Sequence, residues 1–294
     1  MKYCLFNSFP FHYEMFAHVL DYFKAHNLQI DVFTNTQNNC GWLEFYESKF
    51  GPRIWHPISE FHPEFYDYVF VPTDDDRGYV QHWHNKTAKV IVIEHAGNRT
   101  LGLPAHRTFQ TRQFKKREPP SSPDTWMLPV WKGLPVEKYE KLTVLCLGNA
   151  TNHLNVQSLF KNHADIHFIL VDRYMNPADS TANIQKYNSL DTSKLIEFTA
   201  KSHYSLFWPT TGFAWNHQYN SLSGSIPLAF SLLTVPMVPQ SFVDPIGLPG
   251  IVGIPDGGGF ELKKPTEQQV AALNTGLDDL LARRDKLLDS ALLL

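Results

Sequence analysis

The chain has 294 residues, of which 43 % are hydrophobic and 19 % charged, enough for a sizeable core in two lobes or one large domain and too apolar for a disordered chain. A formal net charge of −3 gives no overall pull toward nucleic acid or an anionic membrane. Three cysteines, Cys4, Cys40 and Cys146, are too few and too irregular for a disulfide framework or a zinc site, and fit a reducing compartment. The opening segment MKYCLFNSFPFHYEM lacks the long apolar run of a signal peptide, and nothing approaches the length of a membrane span. A soluble, cytoplasmic protein is the expectation.

In chain order, YCLF (3–6) reads as a strand. SFPFHYEMFAHVLDYFKAHN reads as a helix, with Ser8 as its cap, Pro10 in its first turn, and Phe11, Met15, Val19 and Tyr22 on one stripe. LQIDVFTN (28–35) is a second strand and GWLEFYESKFG (41–51) a short helix. RIWHPI (53–58), YDYVFVP (66–72) and KVIVIEH (89–95) are further strands, the last two apolar almost throughout, as in a parallel sheet covered on both faces. Residues 97–141 turn basic and then rich in proline and serine: a loop, a late strand and a linker near 131–140.

The βα rhythm then restarts. KLTVLCLGNATNH (141–153) is a strand entering a small polar turn. NVQSLFKNHA is a helix, DIHFILVDR a strand, SLDTSKLIEFTAKSH a helix and YSLFWP (204–209) a strand. NSLSGSIPLAFSLLTVPMVP (220–239) holds a helix and a short strand. Residues 266–294 close the chain as a long helix, with Thr266 and Gln269 as a capping box and Val270, Leu273, Leu277, Leu280 and Leu281 as its apolar stripe. The fold class is α/β, in two doubly wound βα lobes.

VFVPTDDDR (69–77) poses the first chemical question. Asp74, Asp75 and Asp76 follow a strand, where carboxylates can ligate a hard cation, act as general base, or solvate a turn. Tyr79 and Trp83 would desolvate such a carboxylate and raise its pKa, and with Arg77 they are candidates to meet an acceptor. His12, after the first strand, and His95, beside Glu94, are rival bases. His82 and His84, two apart, cannot converge on one metal from a helix. The basic run Arg107, Arg112, Lys115, Lys116 and Arg117 can meet an anion or remain solvated. In the second lobe, Gly148, Asn149 and Thr151 follow one strand, and Trp208 and Pro209 follow another. Ser221, Ser223, Gly224 and Ser225 precede a helix, whose end carries about half a positive charge. These three segments fit a diphosphate at the strand ends, although Ser-Gly-Ser can also serve only as a cap. The chain has neither a G-x-G-x-x-G after a strand nor a P-loop, and no G-x-S-x-G elbow.

The two βα lobes, the strand-glycine-polar opening of the second, and SGSIPLAFSLLTVPMVP together resemble the GT-B class of glycosyltransferases. The layout covers nearly the whole chain, whereas the specific match lies within residues 220–239, where VPMVP resembles a V-P-V-V-like strand. The resemblance implies two Rossmann-like lobes facing a cleft. Residues 1–135 would bind the acceptor; residues 136–294 would bind the nucleotide sugar, with the terminal helix packing back across the lobes. It implies inverting transfer from a UDP-linked sugar, as co-substrate, to an oligosaccharide or glycoprotein glycan, with no metal and no other cofactor. Many members hold the ribose with a glutamate at the start of this helix. NHQYNSLSGSIP has none, leaving Asn216, His217, Asn220 or Ser221 as substitutes. The small size and the aromatic- and histidine-rich first lobe are also similar to glycosyltransferases of large algal viruses, xylosyltransferases among them. Two alternatives stand beside this reading. YDYVFVPTDDDR also resembles the metal-binding motif of the GT-A class, which a whole further βα lobe fits less well. Two βα lobes also describe non-enzymatic small-ligand-binding proteins.

Overall fold

The structure, a computed structural model, describes residues 1–9, 12–36, 39–53, 55–83, 89–94, 105–111, 126–133, 135–148, 163–172, 175–209, 223–255 and 261–293. It divides into two compact units. Met1–Trp131 and the chain end from Leu280 belong to the first, and Lys132–Tyr219 and Ser223–Asp279 to the second.

The first unit is built on β1 (Tyr3–Asn7), β2 (Asp31–Thr34), β3 (Trp55–His56), β4 (Tyr68–Val71), β5 (Lys89–Glu94) and β6 (Arg107–Gln110). The strands pair in parallel in the order β3-β2-β1-β4-β5-β6. β1 and β4 are buried throughout because both faces are covered, which is why they read as unbroken apolar runs. Alternate residues serve the two faces. Cys4, Phe6, Val69, Val71, Val90 and Val92 pack with Trp83 from helix α3 (Arg77–Trp83). On the other face Phe23, from helix α1 (Ala17–Ala25), meets Tyr3 at 5.1 Å and Phe70 at 5.4 Å between ring centroids. Helix α2 (Trp42–Phe50) buries Trp42, Leu43, Tyr46 and Phe50.

The second unit repeats the plan with β7 (Thr143–Leu147), β8 (His167–Val171), β9 (Ile184–Tyr187), β10 (Tyr204–Leu206), β11 (Val235–Pro239) and β12 (Val252–Ile254). These are again all parallel, in the order β12-β11-β10-β7-β8-β9. Helix α4 (Thr192–Lys201) is capped by Asp191, which accepts from Lys194 N at 2.8 Å, and it buries Phe198 against Leu145 and Ile169. Helices α5 (Ser225–Ser231) and α6 (Gln240–Ile246) flank β11.

The last helix, α7 (Glu267–Leu292), begins with the expected capping box. Thr266 Oγ1 accepts from Gln269 N at 3.2 Å, and Gln269 Oε1 from Thr266 N at 2.9 Å. Leu273, Leu277 and Leu280 of its stripe are buried; Val270, 40 % exposed, falls outside it. Its final turns anchor the first unit. Buried Arg284 donates to Asp21 Oδ2 at 2.8 Å, to Val130 O at 3.1 Å and to His18 O at 3.3 Å. Tyr22 donates to Asp289 at 2.6 Å, and the Arg283 guanidinium lies 4.0 Å over the Trp126 ring. Among the described residues no helix is long and apolar enough to cross a membrane.

Candidate functional site

In each sheet the strand order reverses once, between β1 and β4 in the first and between β7 and β10 in the second. Chains leaving two such neighbouring strands diverge and open a crevice at their carboxyl ends.

In the first unit, Ser8 and His12 follow β1, and Thr73 to Asp76 follow β4. Thr73, extended, caps a 3-10 turn of Asp74–Asp76: its hydroxyl accepts from Asp75 N and lies 3.1 Å from Asp75 Oδ2 as donor. His12 opens a 3-10 turn of Tyr13–Met15 in the left-handed region, at φ 64°. These two turns bring His12 Nε2 within 3.0 Å of Asp75 Oδ2, while Nδ1 lies 3.4 Å from Glu14 Oε1. The imidazole is 22 % exposed and Asp75 16 %, so the pair is partly desolvated and still reachable. Burial by itself would lower the His12 pKa. The hydrogen bond and charge of Glu14, with the charge and hydrogen bond of Asp75, outweigh it and hold the pKa above its ordinary value.

Asp76 turns the other way. It is 1 % exposed and accepts from Ser8 N, at 3.3 and 3.2 Å to its two oxygens, and from Ser8 Oγ. Burial pushes its pKa up to about 6; the Ser8 hydrogen bonds and the His12 charge pull it down, and the Asp75 charge adds to the rise. Asp75 and Asp76 therefore aim at different partners. Among the described residues no group of three His, Cys, Asp or Glu side chains is placed to hold a metal ion.

Arg77 is exposed, and Tyr79 is 45 % exposed with its ring 5.1 Å from Phe6. Trp83, expected to face an acceptor, is 3 % exposed and wedged between Phe6 at 4.8 Å and Phe61 at 5.0 Å, so it is a core residue. Glu94 is buried at the end of β5 and accepts from Gln110 Nε2 at 3.3 Å. His95 and the side chain of Asp74 lie outside the described residues. Sequence reasoning missed Glu14, Thr73 and the crevice role of Ser8. The signal for Thr73 was present, as a hydroxyl residue directly before an acidic turn.

In the second unit Cys146 pairs with Leu206, so Gly148 and Trp208 each lie two residues beyond a matched pair, at the crevice. Gly148 takes φ +68°, and a Cβ there would meet nothing within 4 Å. Its backbone faces open space in a conformation that suits glycine. Trp208 and Pro209 are buried. Ser223 and Ser225 share a hydroxyl contact of 2.9 Å, and Ser225 N donates to Ser223 Oγ at 3.4 Å where α5 begins just after Gly224. Asn149, Thr151, Asn216, His217, Asn220 and Ser221 lie outside the described residues.

No protein-family model and no curated protein matches the sequence. Solved structures do match. HepE of Anabaena, in complex with UDP-glucose, superposes with a TM-score of 0.54 at 11 % identity, over 99 % of this chain and 95 % of that one. The UDP-GlcNAc 2-epimerase of Neisseria meningitidis bound to UDP-GlcNAc gives 0.53 at 14 %, over 98 % and 94 %. The glycosyltransferase SnogD of Streptomyces nogalater gives 0.52 at 10 %, over 97 % and 94 %. At such identities the likeness concerns the fold, and the chain has it: two six-stranded parallel sheets with flanking helices, the Rossmann-like pair of lobes of the GT-B type.

Proposed function

We propose that this protein is a glycosyltransferase that moves a sugar from a UDP-linked donor to a hydroxyl of an oligosaccharide or glycoprotein glycan. Transfer inverts the anomeric carbon and needs no metal. The observation that carries the reading is the His12–Asp75 pair, 3.0 Å apart at the crevice of the first sheet.

A sugar hydroxyl is a poor nucleophile until its proton has somewhere to go. With Nε2–H held by Asp75, Nδ1 is the nitrogen that takes the proton, the incoming hydroxyl replacing the 3.4 Å contact to Glu14. As the acceptor oxygen bonds to the anomeric carbon, the bond to the diphosphate oxygen breaks on the opposite face. The electron pair leaves with UDP, and the Asp75 carboxylate stabilises the imidazolium. Tyr79 offers the acceptor an exposed ring and Arg77 a donor fork. The second unit holds the nucleotide. Gly148, Asn149 and Thr151, Trp208 and Pro209, His217, and Ser221 with Ser223, Gly224 and Ser225 are the assigned donor residues, with backbone N–H groups receiving the charge on the departing diphosphate. UDP-sugars in HepE and in the epimerase support the choice of nucleotide.

The test is a thermal-shift panel of UDP, UDP-glucose, UDP-GlcNAc, UDP-xylose and TDP, followed by UDP release with glycan acceptors. A ligand at ~100 times its Kd adds about 2.7 kcal/mol to the native state. UDP-xylose is included because of the xylosyltransferase resemblance. Stabilisation by a UDP-sugar with acceptor-dependent UDP release that EDTA leaves unchanged is the expected result. Loss of activity in EDTA would instead put Asp74–Asp76 on a cation, epimerisation without an acceptor would replace transfer, and no shift with any nucleotide would reject the reading.

A further inference from the structure

Asp76 is a described carboxylate at this crevice that no step above uses. Ser8, the first residue after β1, gives it both its N–H, at 3.3 and 3.2 Å, and its hydroxyl. Asp76 closes the turn after β4, so a contact between residues 68 apart in sequence joins two loops at their roots. Each loop carries one half of the working pair: His12 follows Ser8 and Asp75 precedes Asp76. Two costly features meet here. A carboxylate is 1 % exposed, and a histidine is held at φ 64°. Both persist only where the surroundings over-determine them.

We propose that Asp76 is a positioning residue, which by gripping Ser8 holds the His12 loop and the Asp75 turn at the separation that lets His12 act as a base. Its kinetic consequence rests on the transferase reading; its structural consequence does not. Among the described residues, Glu14 and Asp75 are charged groups facing His12, and Asp75 and His12 face Asp76, whose pKa the His12 charge lowers. Asp76→Ala removes grip and charge together. Asp76→Asn removes the charge and keeps the grip, since the amide oxygen can accept from Ser8 N while Nδ2 donates to Ser8 Oγ. Ser8→Ala keeps the charge and weakens the grip.

The experiment reads two quantities in each variant: the His12 titration by NMR, and kcat with donor KM. In Asp76→Ala the His12 pKa falls toward its ordinary value as Asp75 drifts out of contact. There kcat drops on the order of tenfold or more, the scale of effect when a reacting group is misplaced by about an ångström, with donor KM unchanged. Asp76→Asn recovers most of kcat, and Ser8→Ala lies between. If Asp76→Ala does not fold, Ser8→Ala and Asp76→Asn carry both readouts. A purely structural Asp76 would lower the melting temperature, leave kcat as it was, and shift the His12 titration in Asp76→Ala no further than the loss of charge alone does in Asp76→Asn, which overturns the proposal. If the wild-type protein transfers no sugar, the transferase reading fails while the His12 titration still decides whether the grip exists.

Discussion

His12 Nε2 lies 3.0 Å from Asp75 Oδ2, although one residue follows β1 and the other follows β4. The contact exists because β1 and β4 are parallel neighbours, with Cys4 opposite Val69, so their carboxyl ends finish side by side. A histidine beside a carboxylate is a common surface pair. Its chemical interest here comes from its place at a strand-order reversal, where an open α/β sheet presents ligands.

His12→Ala should remove the proton acceptor together with its contacts to Asp75 and Glu14. The expected loss in kcat is about 10²- to 10⁴-fold, the usual contribution of a general base. UDP should protect the variant against heat as well as it does the wild type, because the nucleotide is assigned to the other unit. Asp75→Asn should give a smaller loss of the same sign, since the ring keeps a hydrogen-bond partner and loses the charge that stabilises the imidazolium. Full activity in His12→Ala would remove this residue from the mechanism.

The pH profile tests Glu14. Its hydrogen bond and charge raise the His12 pKa, and the protonated ring cannot accept a proton, so kcat/KM should fall as pH drops through that raised value. Glu14→Gln removes the charge, lowers the pKa and should move the acid limb to lower pH. A limb that stays in place, or moves upward, contradicts the assignment.

His18 makes stability depend on acid. It is fully buried, and burial first, then the Arg284 charge, lower its pKa to about 3, partly offset by the Met15 backbone, which lies close without a full hydrogen bond to either ring nitrogen. Its unfolded pKa is about 6.5, so between the two values the unfolded chain binds the extra proton. Stability is therefore complete above about pH 6.5 and is lost as pH falls, with a slope of up to ~1.4 kcal/mol per pH unit from this group. Denaturant midpoints at pH 7 and pH 5 should lie closer together in His18→Leu than in the wild type.

Arg284→Ala should be among the more damaging single changes. It removes the 2.8 Å partner of Asp21 and one buried donor each from the carbonyls of His18 and Val130. Breaking a buried ion pair from one side typically costs about 3–5 kcal/mol, and the 17 % exposure of the surviving Asp21 puts this change toward or below the low end. Urea unfolding measures it, and a loss below about 1 kcal/mol, the range of exposed pairs, would mean that the network is solvated in solution.

The strands that could be read from the residues are the inner ones. YVFV, KVIVIE and TVLCL are buried along nearly their whole length, and a strand covered on both faces needs an unbroken apolar run. β9 (IQKY) and β12 (VGI) escaped notice, being short edge strands with one neighbour and mostly half-exposed residues. The segment read as one helix from Ser8 instead enters α1 only at Ala17, after a left-handed His12 and a 3-10 turn. Ser8 looked like a cap because its hydroxyl can serve its own chain locally; the buried Asp76, 68 residues away, takes that hydroxyl and the N–H as well. Trp83 shows the same limit from the other side, since residue type alone does not say which face of a short helix an aromatic ring occupies.

Periodicity, composition and capping chemistry are properties of neighbouring residues, so the sequence by itself determined two parallel α/β lobes, the strands that bear the candidate groups, and the residue types at their ends. Which of those groups touch is a property of strand order, because parallel pairing of β1 with β4 carries side chains together that no local pattern relates. Tertiary structure alone decided that Asp75 takes His12 and Asp76 takes Ser8, and adjacent carboxylates of identical type acquired different partners and exposures from that choice.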